Sequence, residues 1–106
     1  MKLKSLSFAA LMAATLSAQA QTEITWWHSM TAFNNEWVNT LAKQFNESQK
    51  TYKVTPIYKG SYDESMTAAI AAFRAGNAPH ILQVFEVGTA TMMASKGAIV
   101  PAGKVM

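Results

Sequence analysis

Three observations in the sequence predict an α/β fold with a mostly parallel sheet. Short runs rich in β-branched and aromatic residues alternate three times with segments of helical periodicity, turn and cap residues separate them, and half of the 106 residues are apolar. Such alternation favours right-handed crossovers between parallel strands. The predicted strand ends, at 27–29, 59–62 and 85–86, are therefore expected at the same edge of the sheet.

The first 20 residues have the pattern of a signal peptide and are not counted towards the fold. Lys2 and Lys4 form a basic start, residues 6–16 form an apolar run, and residues 18–20 read Ala-Gln-Ala, a typical cleavage site. An apolar run of roughly a dozen residues is short for a membrane span, which needs ~20. We expect export, cleavage after Ala20 and a mature chain that starts at Gln21.

Composition limits the classes of partner. The sequence has no cysteine, which excludes disulfides and a lipid anchor on cysteine. Removing the two lysines of the leader lowers the formal net charge from +3 to +1. The basic character of the whole chain therefore belongs largely to the leader, and no nucleic-acid partner is expected.

The first predicted strand is 23–27, and an amphipathic helix follows it. The strand is short, β-branched and aromatic and stops at His28. Apolar residues then recur every three or four positions, which predicts a helix capped by Ser29 or Thr31. Its expected apolar face comprises Phe33, Trp37, Val38, Leu41, Ala42 and Phe45. Trp26, Trp37 and Phe45 are predicted to lie in the core.

The second strand is predicted at 52–58, near an edge of the sheet because Pro56 lacks an N–H for the ladder. The motif Ser61-Tyr-Asp-Glu64 fits a capping box and predicts the start of a second helix. Gly76 is suited to the left-handed position that ends this helix, and Pro79 confirms the stop. Its expected core face comprises Met66, Ala69, Ile70 and Phe73.

The third strand is predicted at 81–85, an apolar run typical of a strand covered on both faces. A short helix over 88–96, closed by Gly97, is predicted to follow, with at most one of Met92 and Met93 in the core. Residues 98–101 resemble the start of another element. We therefore expect a truncated chain whose third strand has an unpaired edge.

Glu86 is the first candidate for chemistry, because ligands of open α/β sheets bind beyond the carboxyl ends of strands. Its position is compatible with three roles: a general base, an acceptor for ligand hydroxyls, and a solvated loop residue without a function. Trp27 and Tyr62 suit an aromatic floor for a polyol or sugar. His28 and His80 have no metal-ligand spacing, and no G-x-S-x-G or phosphate-binding glycine motif is present.

Several runs of sequence carry a resemblance to a known family. They are Trp27-His-Ser-Met30, Tyr58-Lys-Gly60 followed by Tyr62, Ala71-Ala-Phe-Arg74, Gly76-Asn-Ala-Pro79 and, the longest, Ile81 to Lys96. From Ile24 to about Met106 the chain closely resembles the periplasmic sn-glycerol-3-phosphate-binding proteins of ABC importers, in the maltose-binding-protein-like class of solute-binding proteins. Phe85 stands where the family often has tyrosine, and His80 where a small residue is expected.

The resemblance implies a site and a location. It makes Tyr62 and Glu86 ligand contacts, with Trp27, His28 and Ser29 as candidate lining of the cleft. It also implies that 21–106 is part of the N-terminal lobe of a periplasmic two-lobed protein, in which later sequence supplies further contacts, including an arginine. The implied partners are a small phosphorylated polyol and the membrane permease subunits of the importer, without a cofactor, metal or enzymatic activity.

Three alternatives stay open at this point. The first is that the chain belongs to a protein of the same fold that binds sugars instead of glycerol phosphates. The second is a secreted hydrolase that uses His28 and Glu86, which requires the two side chains within about 3 Å of each other or joined through one water. The last alternative is a fragment with no activity of its own.

Overall fold

The computed structural model describes residues 20–106, so the predicted leader lies almost entirely outside the described residues. Three parallel strands form one sheet: β1 (Thr22–His28), β2 (Tyr52–Tyr58) and β3 (Ile81–Leu82). The helices are α1 (Ala32–Ser48), α2 (Tyr62–Arg74) and α3 (Thr89–Ala94), with 3₁₀ turns at Glu86–Gly88 and Ala102–Lys104. The predicted α/β architecture with a parallel sheet is confirmed.

The order of strands, β2-β1-β3, places the two long helices on opposite faces of the sheet. The connection through α1 leads from β1 to β2 on one side, and the connection through α2 leads from β2 past β1 to β3 in the opposite direction. Because both connections are expected to be right-handed, the two helices pack on different faces. Leu41 and Phe45 of α1 accordingly share a groove with Ile24 of β1. Ala69 of α2 shares one with Leu82 of β3.

The edge position predicted for the second strand is confirmed, because β2 pairs only with β1 among the described strands. Side chains tie the end of α1 to this strand. The Asn46 amide donates to the carbonyl of Val54 at 2.9 Å and accepts from its N–H at 2.7 Å. The Gln49 amide oxygen likewise accepts from the Tyr52 N–H at 2.7 Å. These bonds anchor β2 beside β1.

The predicted start and stop of α2 are both confirmed. The Ser61 hydroxyl accepts from the Glu64 N–H at 3.3 Å, and the Glu64 carboxylate accepts from the Ser61 N–H at 2.7 Å. At the other end Gly76 has a φ of +78°, a left-handed conformation that glycine adopts without steric penalty. The backbone at the first turn of α2 is therefore rigidly held.

The prediction of a third strand over 81–85 is wrong in length, since β3 contains only Ile81 and Leu82. Pairing with β1 ends soon afterwards, where the Gln83 N–H donates to the carbonyl of Trp27 at 2.9 Å. The chain then turns away into the 3₁₀ turn that begins at Glu86. The helix predicted over 88–96 is correspondingly shorter and begins after that turn.

The predicted core of α1 is wrong for its large aromatic residues. Val38 and Ala42 are buried, whereas Trp37 is 56% exposed and Phe45 is 44% exposed. Three strands are too narrow to bury the whole apolar face of the helix, so only the row with Val38 and Ala42 is buried. A second row, at four-residue spacing, borders the sheet only in part and stays 37% to 77% exposed: Phe33, Trp37, Leu41 and Phe45, called the α1 stripe below.

The helices α2 and α3 bury some of their predicted core residues and expose others. In α2 the buried positions are Ser65 and Ala69, while Phe73 is exposed although it was predicted in the core. In α3 Met92 is buried and Met93 is exposed, which confirms that at most one of them is a core residue.

Candidate functional site

The carboxyl ends of the three strands meet at one edge, as predicted. Lys59, directly after β2, donates its N–H to the carbonyl of His28 at the end of β1 at 2.9 Å. On the other side, Ser29 donates its N–H to the side-chain oxygen of Gln83, beyond β3, at 3.0 Å. This edge, from Lys59 across Ser29 to Glu86, is the candidate site.

Tyr62 and Phe85 form an aromatic pair across this edge. Their ring centroids lie 5.2 Å apart with an interplanar angle of 27°, a stacked arrangement. Tyr62 is the first residue of α2, and Phe85 immediately precedes the 3₁₀ turn. The pair therefore bridges the segment after β2 and the segment after β3.

Glu86 follows Phe85 directly and is the first residue of the 3₁₀ turn. It is exposed, and its carboxylate has no ion-pair partner among residues 20–106. Because Phe85 stacks on Tyr62, the backbone at Glu86 begins one residue away from this aromatic pair. The carboxylate is thus free to accept hydrogen bonds from a ligand.

Trp27, the third aromatic residue at the edge, carries a positive charge above its ring. The Lys59 ammonium lies 4.0 Å from the ring centroid, within the range of a cation–π interaction. Trp27 is half-buried at the end of β1. The lysine is thereby held at the β2 side of the edge, whereas Glu86 lies at the β3 side.

His28 is an interior residue in this structure, with an exposed fraction of 1%. Its ring packs between Trp26 and Tyr58, each with a centroid separation of 6.1 Å. Its Nδ1 accepts from the Met30 N–H at 3.3 Å, so the neutral ring carries its proton on Nε2. Burial lowers the pKa of His28 below its ordinary value. This position gives no support to its predicted role as cleft lining.

Two further polar groups are the hydroxyls of Ser29, directly after β1, and Ser65, in α2. The Oγ atoms of Ser29 and Ser65 are buried, and neither has a hydrogen-bond partner among the described residues. Ser65 belongs to the first turns of α2 and was not singled out in the sequence, because a serine on the inner face of a helix gives no local signal. Such unpaired hydroxyls are available to an internal water or a ligand group.

The geometry does not favour the hydrolase alternative. The His28 ring accepts its observed hydrogen bond from the Met30 backbone N–H, and Glu86 is not its partner. His28 is buried, whereas Glu86 is exposed. Within residues 20–106 no cluster of three or more His, Asp or Glu side chains is suited to hold a metal ion. The same part of the chain contains no helix that is long and apolar enough to span a membrane.

His80 has a structural role at the β1–β3 junction. Its Nδ1 accepts from the backbone N–H of Thr25 at 3.1 Å, and its own N–H donates to the carbonyl of Thr25 at the same distance. The side chain thus pairs a backbone group of β1 just before β3 begins. The imidazole thus adds a side-chain hydrogen bond to the short β1–β3 pairing.

An aromatic pair, an exposed carboxylate and a lysine lie at the carboxyl edge of a parallel sheet, the edge at which open α/β sheets commonly bind ligands. Known proteins with similar sequences give a further indication. The chain is 52% identical over 106 residues to the sn-glycerol-3-phosphate-binding periplasmic protein UgpB of Rhizobium meliloti (strain 1021). It is 57% identical over 97 residues to the protein of that name from Brucella abortus (strain 2308), and 55% identical over 92 residues to that of Yersinia enterocolitica.

These matches cover 100%, 90% and 87% of this chain, and 25%, 22% and 21% of the respective relatives. The chain therefore spans about a quarter of the length of the curated relatives it matches. No protein-family model matches the chain. The resemblance to glycerol-3-phosphate-binding proteins predicted from the sequence is confirmed.

Proposed function

We propose that this chain forms part of the ligand-binding lobe of a periplasmic solute-binding protein. The protein captures sn-glycerol-3-phosphate or glycerophosphodiesters and delivers them to the permease subunits of an ABC importer. The observation that carries the proposal is the identity of 52% or more to proteins named for this ligand, over 87% or more of the chain. Binding, lobe closure and release suffice for this role, so no catalytic step is assigned.

Electrostatics decides which end of the ligand meets Glu86. A carboxylate that faces a phosphate in a partly dry cleft suffers like-charge repulsion, whereas hydroxyl groups donate hydrogen bonds to it. Glu86 therefore accepts from the glycerol hydroxyls. The Tyr62 ring packs on the carbon chain or donates through its phenol.

The phosphate requires a cation or clustered N–H donors. The family resemblance assigns this role to an arginine outside these 106 residues. Lys59 is the cation that this chain places at the edge, and its ammonium is engaged with the Trp27 ring. The chain thus supplies the hydroxyl-binding wall of the cleft.

The test uses a chimera in which residues 21–106 replace the matching segment of the Rhizobium meliloti relative. The variant Glu86→Gln keeps the shape of the side chain and removes its charge. We expect affinity for sn-glycerol-3-phosphate, measured by calorimetry, to fall roughly 10-fold or more, as for a lost hydrogen bond to a charged acceptor.

The matched control is Glu47→Gln, which makes the same charge change on an exposed residue near the far end of α1. It should leave affinity unchanged. An E86Q chimera that binds as tightly as the unmodified one would show that Glu86 is not a ligand contact.

A sugar-binding protein of the same fold is the second candidate, and the stacked pair of Tyr62 and Phe85 favours it, since aromatic rings pack well on sugars. Competition separates the two candidates. Displacement of sn-glycerol-3-phosphate from the chimera by excess maltose would favour the sugar, and no displacement would favour the glycerol phosphate.

Export through a cleavable leader belongs to the same proposal. The first residue paired in the sheet is Thr22, so cleavage after Ala20 removes no residue from the β1–β2 ladder. We expect mass spectrometry of the exported protein to show Gln21 at the N-terminus. A retained leader, or a start within the strand, would contradict this cleavage site.

A further inference from the structure

Tyr62 needs a partner to hold its side chain. The capping box fixes the backbone at the start of α2, but a tyrosine ring still rotates about its own side-chain bonds. The ring is 37% exposed, so solvent borders it over much of its surface. What limits its position is the stacked Phe85 ring, 5.2 Å away between centroids.

The edge of the Phe85 ring is closely packed against Gly88. A Cβ atom at Gly88 would lie 2.9 Å from the edge of the Phe85 ring, 3.0 Å from the sulfur of Met66 and 3.1 Å from Val84. Gly88 has an ordinary φ of −77°, so it is the lack of room, and not the backbone conformation, that favours glycine. Gly88 thus lets its backbone approach the Phe85 ring, Met66 of α2 and Val84 more closely than a residue with a Cβ could.

The backbone links the same residue to Glu86. The Gly88 N–H donates to the Phe85 carbonyl at 3.0 Å and closes the 3₁₀ turn whose first residue is Glu86. Phe85 therefore contacts Tyr62 through its ring and sets the start of the Glu86 turn through its carbonyl. One residue connects the two proposed ligand contacts, which lie after different strands.

We infer that Phe85 is a positioning residue, which fixes the Tyr62 ring relative to Glu86 and so sets the spacing between the aromatic and the hydroxyl-accepting parts of the site. The inference rests on the proposed function. Phe85 acts through Tyr62, so its removal matters only while Tyr62 is present. A tyrosine at this position keeps the ring stack, whereas a leucine keeps the apolar volume and loses the stack.

A double-mutant cycle in the chimera tests the inference. The variants are F85L, Y62L and F85L/Y62L, with F85Y as the conservative control, and the readout is calorimetric affinity for sn-glycerol-3-phosphate. We expect F85L alone to weaken binding roughly 2- to 10-fold, the size of a lost aromatic pair, and F85Y to bind like the unmodified chimera. In the Y62L background the F85L change should have little further effect.

An equal loss from F85L with and without Tyr62 would overturn the inference, because Phe85 would then act independently of that ring. Loss of affinity in F85Y equal to that in F85L would overturn it as well.

A second measurement needs no ligand and separates this inference from the proposed function. The NMR signals of the Tyr62 ring, assigned by their disappearance in Y62F, should shift in F85L and stay near their original positions in F85Y. Unshifted signals in F85L would overturn the positioning role. A chimera that shows the shift but binds no sn-glycerol-3-phosphate would contradict the proposed function and leave the ring contact established.

Discussion

His28 shows how a residue at the end of a strand can support a site without touching a ligand. Its ring fills the space between Trp26 and Tyr58, and its Nδ1 accepts from the Met30 N–H in the turn that leads into α1. Protonation of Nδ1 would remove that acceptor and place a charge in the interior. The structure thus favours the neutral imidazole.

This preference predicts the pH dependence of stability. Burial lowers the pKa of His28 in the folded protein, while the unfolded chain has the ordinary value near 6.5, so below that pH the unfolded state binds more protons. The stabilisation is fully present above pH 6.5 and is lost as the pH falls through the lowered pKa of the folded state. We expect the free energy of unfolding of the chimera, from denaturant titrations, to decline over this range.

The comparison variants are His28→Asn, which offers an oxygen acceptor that does not titrate, and His80→Asn, which changes the exposed histidine. The decline between pH 6.5 and lower pH should become shallower in H28N and persist in H80N. An identical pH profile in H28N and the unmodified chimera would contradict the assignment.

The place of some residues of the candidate site could be predicted from sequence, because their position in the chain implies their position in the fold. Glu86 follows an apolar run and Tyr62 follows a capping serine, so both were expected at the sheet edge. Phe85 and Gly88 could not be assigned, since the stack and the missing room at Gly88 depend on residues of α2 that are distant in sequence.

At the scale of elements, locally specified features were predicted well. The capping box of α2 and the left-handed Gly76 depend on residues within one or two turns, and both are confirmed. The seven-residue β2 strand was predicted with its exact bounds because its pattern and its flanking turns agree.

Features that depend on neighbouring elements were predicted less well. The apolar run over 81–85 has the composition of a buried strand, but among the described residues only β1 lies beside it, and pairing stops at Leu82. The periodicity of α1 correctly predicts an apolar face, yet the described sheet buries only the row with Val38 and Ala42. An apolar pattern shows which residues favour burial, and the available partner surface decides which become buried.

At the scale of the whole molecule, the described chain exposes much of the surface that its sequence marks as apolar. Leu41 and Phe45 of the α1 stripe border a groove lined by apolar residues of all three strands, and Phe33 of this stripe is 77% exposed. Contiguous exposed apolar surface and an unpaired strand edge both favour association or incomplete folding. A surface of this kind favours burial against a further apolar surface.

We therefore expect residues 21–106 alone to melt with poor cooperativity and to bind sn-glycerol-3-phosphate too weakly for calorimetry, while the chimera melts sharply. The measurement is thermal unfolding followed by near- and far-UV circular dichroism. The variant Trp37→Gln tests whether the exposed α1 stripe is the cause. If further sequence covers the α1 stripe, W37Q should destabilise the chimera by about 2 kcal/mol, as for a lost buried aromatic side chain, and have little effect on the isolated segment. A sharp two-state melt of 21–106, or a chimera unaffected by W37Q, would show that the uncovered surface is not what limits folding.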